Sequence, residues 1–228
     1  MMLKLYEVLT RPEVAAFRAA LAAPDAGWIG GAVTAGQQAR IVKKNRQLPE
    51  QSPLNQRLGQ AILQALARHA PFFAAALPLR ITPPQFNVYE GGETYGDHID
   101  NALRLTPDGG RLRADLSATL FLSQPGEYEG GELIVQDSYG EYSVKMPAGD
   151  MVLYPSASRH RVTPVTGGSR VGCFLWIQSM VRGDADRDML HGLDLTIQRL
   201  TVEHGPGNTE VGRLTGLYHN LVRRFAET

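Results

Sequence analysis

The chain has 228 residues, 43% of them hydrophobic and 20% charged, and its 23 basic and 23 acidic side chains give no formal net charge. This balance argues against a general nucleic-acid binder, and the single cysteine, Cys173, excludes an intramolecular disulfide and a cysteine-based zinc site. Because no apolar run approaches the roughly 20 residues of a membrane span and residues 1–8 lack the features of a signal peptide, we expect a cytoplasmic protein without membrane contact.

Residues 1–78 show mainly helical patterns and are predicted to form an N-terminal helical support region. Thr10 and Pro12 are typical of an N-cap and a first helical turn, and an alanine-rich stretch follows them. Residues 53–69 predict a second helix, because leucine and isoleucine recur there at four-residue spacing. Between the two helices we expect a short strand at residues 39–42.

Residues 79–181 have a different texture and are predicted to form the β-rich core. Short runs rich in β-formers are separated by glycine, proline and aspartate, which is typical of an antiparallel sandwich or barrel. The predicted strands lie at 85–89, 116–122, 132–136, 142–145, 151–154 and 171–177.

Residues 182–228 return to a helical pattern and are predicted to form a C-terminal helical region. Two amphipathic segments, 188–203 and 210–225, are separated by a glycine- and proline-containing turn at 205–207. These helices are expected to pack either on the β-core or on a second copy of the chain in a homo-oligomer, and the sequence leaves both arrangements open. The predicted fold class is therefore mainly β with flanking helices at both ends.

Two of the six histidines lie in the β-rich region with neighbours that suggest a metal site. His98 and Asp100 are two residues apart, so on an extended strand both side chains project to the same face. If the strand that carries His160 packs nearby, the three form the facial triad of non-haem Fe(II) oxygenases, which leaves coordination positions open for cosubstrate and dioxygen. The other four are interpreted as surface or helix-end residues: His69, His191, His204 and His219.

Arg170 follows His160 by ten residues, with Pro164, Gly167 and Gly168 between them. The chain can therefore turn and run back as an antiparallel strand, which would bring the guanidinium near the metal pocket. A guanidinium is permanently charged and binds carboxylates in bidentate fashion, so it suits the remote carboxylate of 2-oxoglutarate. The alternative interpretation is a surface arginine on an edge strand.

Longer motifs run along nearly the whole chain. They are KKN at 43–45, QL at 47–48, YGDHIDNA at 95–102, DLSATLFL at 115–122, YEGGEL at 128–133, AGDMVLYP at 148–155 and WIQSM at 176–180. Together they resemble the bacterial PKHD-type hydroxylases, which are Fe(II)- and 2-oxoglutarate-dependent dioxygenases of the prolyl/lysyl hydroxylase type that are often associated with iron uptake.

This resemblance implies a double-stranded β-helix, or jelly-roll, with Fe(II) bound by His98, Asp100 and His160. It also implies that Arg170 binds 2-oxoglutarate and that L-ascorbate returns the iron to its ferrous state. Related hydroxylases often use a tyrosine at the position of Tyr89 to hydrogen-bond 2-oxoglutarate, although a half-buried sheet tyrosine is an equal alternative.

Three further side chains are judged by their position along predicted strands. Trp176 shares strand parity with Arg170, so both point to the same face; we expect a packed core tryptophan rather than a residue of the pocket. Cys173 has the opposite parity and is expected in the core. Thr119 faces either the cosubstrate or a neighbouring strand.

The sequence has one basic cluster near its N-terminal third. We expect a solvated strand edge or loop, the alternative being a lip that attracts an anionic group of the substrate. The cluster consists of Arg40, Lys43, Lys44, Asn45 and Arg46.

The leading functional hypothesis is a dioxygenase that hydroxylates an unidentified small-molecule or protein substrate and releases succinate and CO2, with a link to iron uptake or iron homeostasis. Its expected partners are 2-oxoglutarate and O2, and we expect no nucleic-acid partner. Two alternatives remain: a non-catalytic iron or 2-oxoglutarate sensor on the same fold, and a cupin-like zinc hydrolase that would leave Arg170 without a role.

Overall fold

The computed structural model describes residues 2–34, 39–106 and 108–227. The helices of this part are α1 (Arg11–Leu21), α2 (Ala39–Val42), α3 (Pro53–Arg68), α4 (Ala70–Ala76), α5 (Asp184–His204) and α6 (Thr209–Phe225). The strands are β1 (Leu3–Leu5), β2 (Ile29–Gly30), β3 (Lys43–Lys44), β4 (Arg46–Gln47), β5 (Pro78–Ile81), β6 (Gln85–Glu90), β7 (Thr94–His98), β8 (Leu103–Leu105), β9 (Arg111–Arg113), β10 (Leu116–Phe121), β11 (Tyr128–Gly130), β12 (Leu133–Asp137), β13 (Gly140–Val144), β14 (Met151–Pro155), β15 (Arg159–Val162) and β16 (Val165–Ser179).

Two antiparallel sheets form the body of the molecule. The larger has the order β1-β14-β10-β16-β6-β4-β2, with β5 and β11 also paired to β16, and the smaller has the order β13-β12-β15-β7-β3. The strands β8 and β9 form a separate hairpin. Between β6 and β16 the chain passes back and forth between the two sheets, which is the winding of a jelly-roll. The predicted mainly β fold with flanking helices is confirmed.

The long strand β16 separates an apolar outer face from a polar inner face. Cys173 and Ile177 are fully buried in the hydrophobic core between the larger sheet and the N-terminal helices. Arg170 and Trp176, of the opposite parity, line a cavity between the two sheets. Because side chains alternate along a strand, successive residues of β16 point either into the hydrophobic core or into the cavity. The prediction that Cys173 lies in the core is confirmed.

The N-terminal helices cover the outer face of the larger sheet. Helix α1 begins with a capping box, in which the Thr10 side chain accepts from the Glu13 amide and Glu13 accepts from the Thr10 amide. Its Phe17 packs on Phe86 of β6, with 6.0 Å between ring centroids. Helix α3 begins after Ser52, whose side chain accepts from Asn55 N. Both helices occur where the sequence predicts them.

The expected strand at residues 39–42 is wrong. Residues Ala39–Val42 form a single helical turn, and sheet pairing begins only at Lys43, which lies opposite Tyr95 of β7. A Cβ at Gly96 would lie 2.8 Å from Val42 Cβ, so the turn packs against the bare backbone of β7. Tertiary contact with that glycine accounts for the helical turn where local composition favours a strand.

The two C-terminal helices pack on each other and on the body. A third core cluster joins Leu190 of α5 to Leu77 and Val181, with Leu221 and Phe225 of α6 packed against it. Of the two arrangements left open by the sequence, packing on the same chain is present in this structure. Among the residues described, none of the helices has the length and apolarity needed to span a bilayer.

Candidate active site

A cavity of about 220 Å³ lies between the two sheets. The inner faces of β6, β10 and β16 supply one wall, where Tyr89, Ser117 and Arg170 are exposed to the cavity. His98 of β7 and His160 of β15 lie on the opposite wall. The smaller sheet thus contributes imidazoles, and the larger sheet contributes hydrogen-bonding and cationic groups.

His98, Asp100 and His160 converge in this cavity, each with one potential ligand atom within 4.8 Å of those of the other two. His160 lies directly opposite His98 in the pairing of β15 with β7. The strand ends at His98, so Asp100 does not belong to an extended strand as predicted from its spacing. It reaches the same point from the loop that follows β7.

Backbone carbonyls set the orientation of both imidazoles. Nδ1 of His98 lies 2.8 Å from Gly96 O, and Nδ1 of His160 lies 3.0 Å from Ser158 O. A carbonyl oxygen only accepts hydrogen bonds, so each Nδ1 carries the proton and each Nε2 keeps its lone pair for a metal. Tyr95 stacks on the His98 ring with 3.6 Å between centroids and restricts its rotation.

The electrostatics of the three groups suit a divalent cation. Burial, together with the nearby His160, lowers the pKa of His98 to about 4, so its imidazole is neutral at pH 7. Burial raises the pKa of Asp100, but the His160 charge and hydrogen bonds from Ser117 and Trp176 outweigh it and leave that pKa below its ordinary value. Two imidazoles and one carboxylate form a donor set that fits Fe(II).

Ser117 holds the carboxylate of Asp100 in place. Its hydroxyl lies 2.6 Å from Asp100 Oδ2 and 2.8 Å from Ser156 Oγ, and the Ser117 side chain is buried. Asp100 Oδ2 in turn lies 3.7 Å from His160 Nε2. This contact was not predicted from the sequence, in which Ser117 was noted only as part of the motif at 115–122. A signal was available, because Ser117 and Thr119 have the same strand parity and therefore face the same side of β10.

Arg170 is the most deeply buried cation among the described residues that line the cavity. Its surface is 2% exposed, compared with 7% for Lys43. Its guanidinium carbon lies 5.3 Å from the Tyr89 ring centroid and 5.4 Å from that of Phe121. Among the residues described, Arg170 has no carboxylate within ion-pair distance, and its Nε is buried without a hydrogen-bond partner. A Cβ at Gly131 would lie 3.0 Å from Arg170 Cδ, so the glycine at this position leaves room for the Arg170 side chain.

Tyr89 lies directly opposite Arg170 in the pairing of β6 with β16 and is 1% exposed. Burial raises the pKa of its phenol, which therefore remains a hydrogen-bond donor at pH 7. Gln85 and Asn87, of the same strand parity, also line the cavity, and Gln85 Nε2 and Asn87 Oδ1 are buried without a hydrogen-bond partner in the described part of the chain. The alternation of polar residues at 85, 87 and 89 was a readable signal for this wall.

Two expectations about the surroundings are wrong. Trp176 is not packed in the core but lines the cavity, where Arg104 lies against its ring. Lys43 of the basic cluster is 7% exposed and also lines the cavity, rather than a solvated edge. Within the same cluster Arg46 is half-buried and pairs with Glu90. Thr119 lines the cavity and lies beside Tyr154 of the neighbouring strand β14, so contact with the cosubstrate stays a prediction.

Comparisons with known proteins agree with this architecture. Residues 84–178 match the family described as the 2OG-Fe(II) oxygenase superfamily, and residues 184–227 match the PKHD-type hydroxylase C-terminal domain. A PKHD-type hydroxylase of Burkholderia thailandensis is 56% identical over 228 residues, and one of Bordetella pertussis is 53% identical; both alignments cover 100% of each chain. The chain belongs to the PKHD-type hydroxylase family. The recognition made from its motifs is confirmed.

A solved structure extends the comparison to the fold. The prolyl-4-hydroxylase of Pseudomonas putida superposes with a TM-score of 0.53 at 22% identity, over 78% of this chain and 92% of that one. At this identity the likeness shows the fold alone, and it agrees with the jelly-roll found here.

Membership of the family decides between the functional hypotheses. A PKHD-type hydroxylase with a 2OG-Fe(II) oxygenase domain is a 2-oxoglutarate-dependent dioxygenase, for which Fe(II), 2-oxoglutarate and O2 are the implied cofactor and cosubstrates. The oxygenase hypothesis is therefore supported over the sensor and the zinc hydrolase.

Proposed function

We propose that this PKHD-type hydroxylase inserts oxygen into a C–H bond of its substrate, with Fe(II) bound by His98, Asp100 and His160. We further propose that Arg170 and Tyr89 bind the remote carboxylate of 2-oxoglutarate. The observation that carries this proposal is a buried guanidinium without a carboxylate partner among the described residues, in the same cavity as two imidazoles and a carboxylate.

A buried cation needs a compensating charge. Transfer of an isolated charge from water to the protein interior is unfavourable unless the charge is paired and hydrogen-bonded. Arg170 is 2% exposed and lies between two aromatic rings, so its guanidinium has five donors and few protein acceptors. A dicarboxylate that enters the cavity supplies both the counter-charge and the acceptors, and the Tyr89 hydroxyl adds one more donor beside it.

The other residues of the site hold the metal ligands in a defined state. The carbonyls of Gly96 and Ser158 keep the protons of both imidazoles on Nδ1, and Ser117 keeps Asp100 ionised and oriented. Fe(II) bound to this donor set would supply the redox chemistry that couples oxidative decarboxylation of 2-oxoglutarate by O2 with hydroxylation of the substrate: one oxygen atom would enter succinate, the other the substrate, and CO2 would be released. His160 and Arg170 are buried between the two sheets, which strengthens their charge interactions relative to those in water.

Two finer points rest on the family resemblance alone and remain predictions: the use of L-ascorbate to keep the iron ferrous, and a link to iron uptake or iron homeostasis. The cytoplasmic location expected from the sequence also remains a prediction. The division into residues 1–78, 79–181 and 182–228 also remains a proposal. It assigns the oxygenase chemistry to the middle region, which carries all five site residues.

An anaerobic titration tests the residue assignments. Protein freed of metal receives Fe(II) and then 2-oxoglutarate, while the visible charge-transfer absorption of the chelate is recorded. We expect the band in the wild type, its loss in His98→Ala, and a requirement for about 100-fold more 2-oxoglutarate in Arg170→Gln, because charge-assisted hydrogen bonds are lost.

Arg159→Gln is the matched control, since Arg159 lies on β15 of the smaller sheet, where its side chain is 58% exposed and pairs with Asp97 on the surface. It should leave the 2-oxoglutarate requirement unchanged. A wild-type protein that binds Fe(II) but gives no band, or an Arg170→Gln protein with unchanged 2-oxoglutarate affinity, would contradict the assignment.

A further inference from the structure

The cavity contains more positive charge than the proposed cosubstrate site uses. Among the described residues that line it, the cations are Lys43, Arg104 and Arg170, and the carboxylates are Glu50 and Asp100. Bound Fe(II) and Asp100, together with the 2-oxoglutarate dianion and Arg170, form a neutral set. Lys43, Arg104 and the exposed Glu50 remain, and they leave one net positive charge in the rest of the cavity.

Arg104 is the best placed of the remaining cations to bind a ligand. It comes from β8, in the hairpin after the metal-site loop, and its guanidinium carbon lies 3.3 Å from the centroid of the Trp176 ring. Such stacking fixes the plane of the guanidinium and leaves its edge free for bidentate hydrogen bonds. Arg104 Nε is buried and has no hydrogen-bond partner in the described part of the chain.

The protein itself engages the Arg104 edge only weakly. Nη2 of Arg104 lies 3.5 Å from Asp100 Oδ1, a distance at the limit of a hydrogen bond. Asp100 already receives the Ser117 hydroxyl at 2.6 Å, and in the proposed function its charge is compensated by the metal. The contact with Asp100 therefore does not account for a half-buried arginine at this position.

The mouth of the cavity is apolar beside this cation. Ile99 and Leu105 line it with 58% and 79% of their surfaces exposed; Leu105 directly follows Arg104, and Ile99 directly precedes Asp100. Large apolar side chains beside a binding cavity, exposed in the free protein, mark a surface that a ligand covers. A ligand that fits both features has a carboxylate directed inward and an apolar portion at the mouth.

We propose that the substrate is a carboxylate with an apolar portion, and that Arg104, held against Trp176, binds the carboxylate beside the metal site. This inference rests on the proposed function and specifies its substrate class. Lys43 adds a second positive charge to the same cavity, where burial, together with the nearby Arg104 charge, lowers its pKa to about 8. Arg104 thus acts as a specificity-determining residue.

The fluorescence of Trp176 provides a local readout of this subsite. The chain has two tryptophans, so Trp28→Phe leaves Trp176 as the single indole. In this background, anaerobic protein loaded with Fe(II) and 2-oxoglutarate is titrated with N-acetyl-L-leucine, which has the proposed chemistry, and with the uncharged N-acetyl-L-leucinamide. We expect a saturable change with the acid and at least about tenfold weaker binding of the amide.

Two variants locate the effect. Arg104→Gln should raise the half-saturating concentration of the acid by about tenfold or more without changing the affinity for 2-oxoglutarate. Arg111→Gln is the matched control, because Arg111 lies on the partner strand of the same hairpin, opposite Leu105, and is exposed. It should bind the acid as the parent protein does.

The inference is overturned if neither probe changes the fluorescence, if acid and amide bind equally, or if Arg104→Gln binds the acid normally. A parallel loss of 2-oxoglutarate affinity in Arg104→Gln would also overturn it, since Arg104 would then act through Asp100. Failure of the parent protein to bind 2-oxoglutarate would instead refute the proposed function, and the substrate inference with it.

Discussion

The two faces of β16 show how one strand serves two purposes. On the outer face, Cys173 and Ile177 are fully buried against the helices, in a core formed almost entirely by hydrocarbon side chains. On the inner face, Arg170 and Trp176 line the cavity with polar atoms directed into it. The side chains alternate within a few residues of each other, yet they make contacts with different parts of the molecule.

This difference implies that stability and chemistry are largely separable in this fold. The outer face gains free energy from burial of apolar surface, about 25 cal/mol per Å². The inner face carries Arg170, a buried charge whose compensation in the proposed function comes from a ligand. Substitutions on the two faces should therefore affect different measurements, and each prediction below tests that separation.

The largest expected effect is on the outer face. Ile177→Ala removes a side chain with no exposed surface from the core under α1 and α3, so we expect the free energy of unfolding to fall by about 2–5 kcal/mol. Urea denaturation measures this loss. The affinity of the folded protein for 2-oxoglutarate should stay within about twofold of the wild type.

Ile177→Val is the graded control and should cost only about 0.5–1.5 kcal/mol. A tenfold loss of 2-oxoglutarate affinity in folded Ile177→Ala would show that the two faces are coupled through the strand.

On the inner face, Ser117→Ala should act on the metal site. The substitution removes the 2.6 Å hydrogen bond to Asp100, and loss of such a supporting contact typically weakens metal binding about 10–100-fold. Competition with a chelator measures the Fe(II) affinity under anaerobic conditions. A structural role alone would lower the unfolding free energy but leave this affinity unchanged.

Ser123→Ala provides the comparison for this variant. Ser123 is equally buried at the end of the same strand, but its hydroxyl donates to Ser169 O and accepts from Val171 N, away from the metal ligands. It should lose stability without losing metal affinity. Equal metal affinities in the two serine variants would disprove the role assigned to Ser117.

The smallest effect is expected at the start of α1. Thr10→Ala removes the capping box of a helix that covers the outer face, at a cost of about 1 kcal/mol in unfolding free energy. Thr10→Ser retains the cap and should be close to the wild type. Thermal or urea denaturation compares the two, and a change in 2-oxoglutarate affinity in either variant would count against the separation.

Local patterns predicted much of this architecture because their physical causes are local. The local signals are the cap at Thr10, the four-residue spacing in 53–69, the turn at 205–207 and the short β-rich runs that became six of the strands. The bounds of the short strands β7 and β15 were not predicted, although the metal-site prediction places His98 and His160 on strands. Their alternation is too brief to be distinguished from loop sequence.

The wrong expectations all concern side chains whose partners are distant in sequence. The helical turn at 39–42 depends on Gly96 of β7, and the burial of Lys43 depends on pairing opposite Tyr95. Arg104 was not singled out at all, because only the folding of its hairpin over Trp176 brings it to the cavity. Neither spacing nor composition near these residues signals such contacts.

The sequence by itself therefore determined the family, the mainly β fold and the strand parity that separates Cys173 from Arg170, because these depend on motifs and on a period of two along one strand. Tertiary structure alone decided which charges share the cavity. Lys43, Arg104 and Asp100 belong to different strands and loops, and only the pairing of the sheets and the packing of a hairpin determine the distances between them. Electrostatic interaction depends on those distances and on burial, so it follows from the fold rather than from the order of residues.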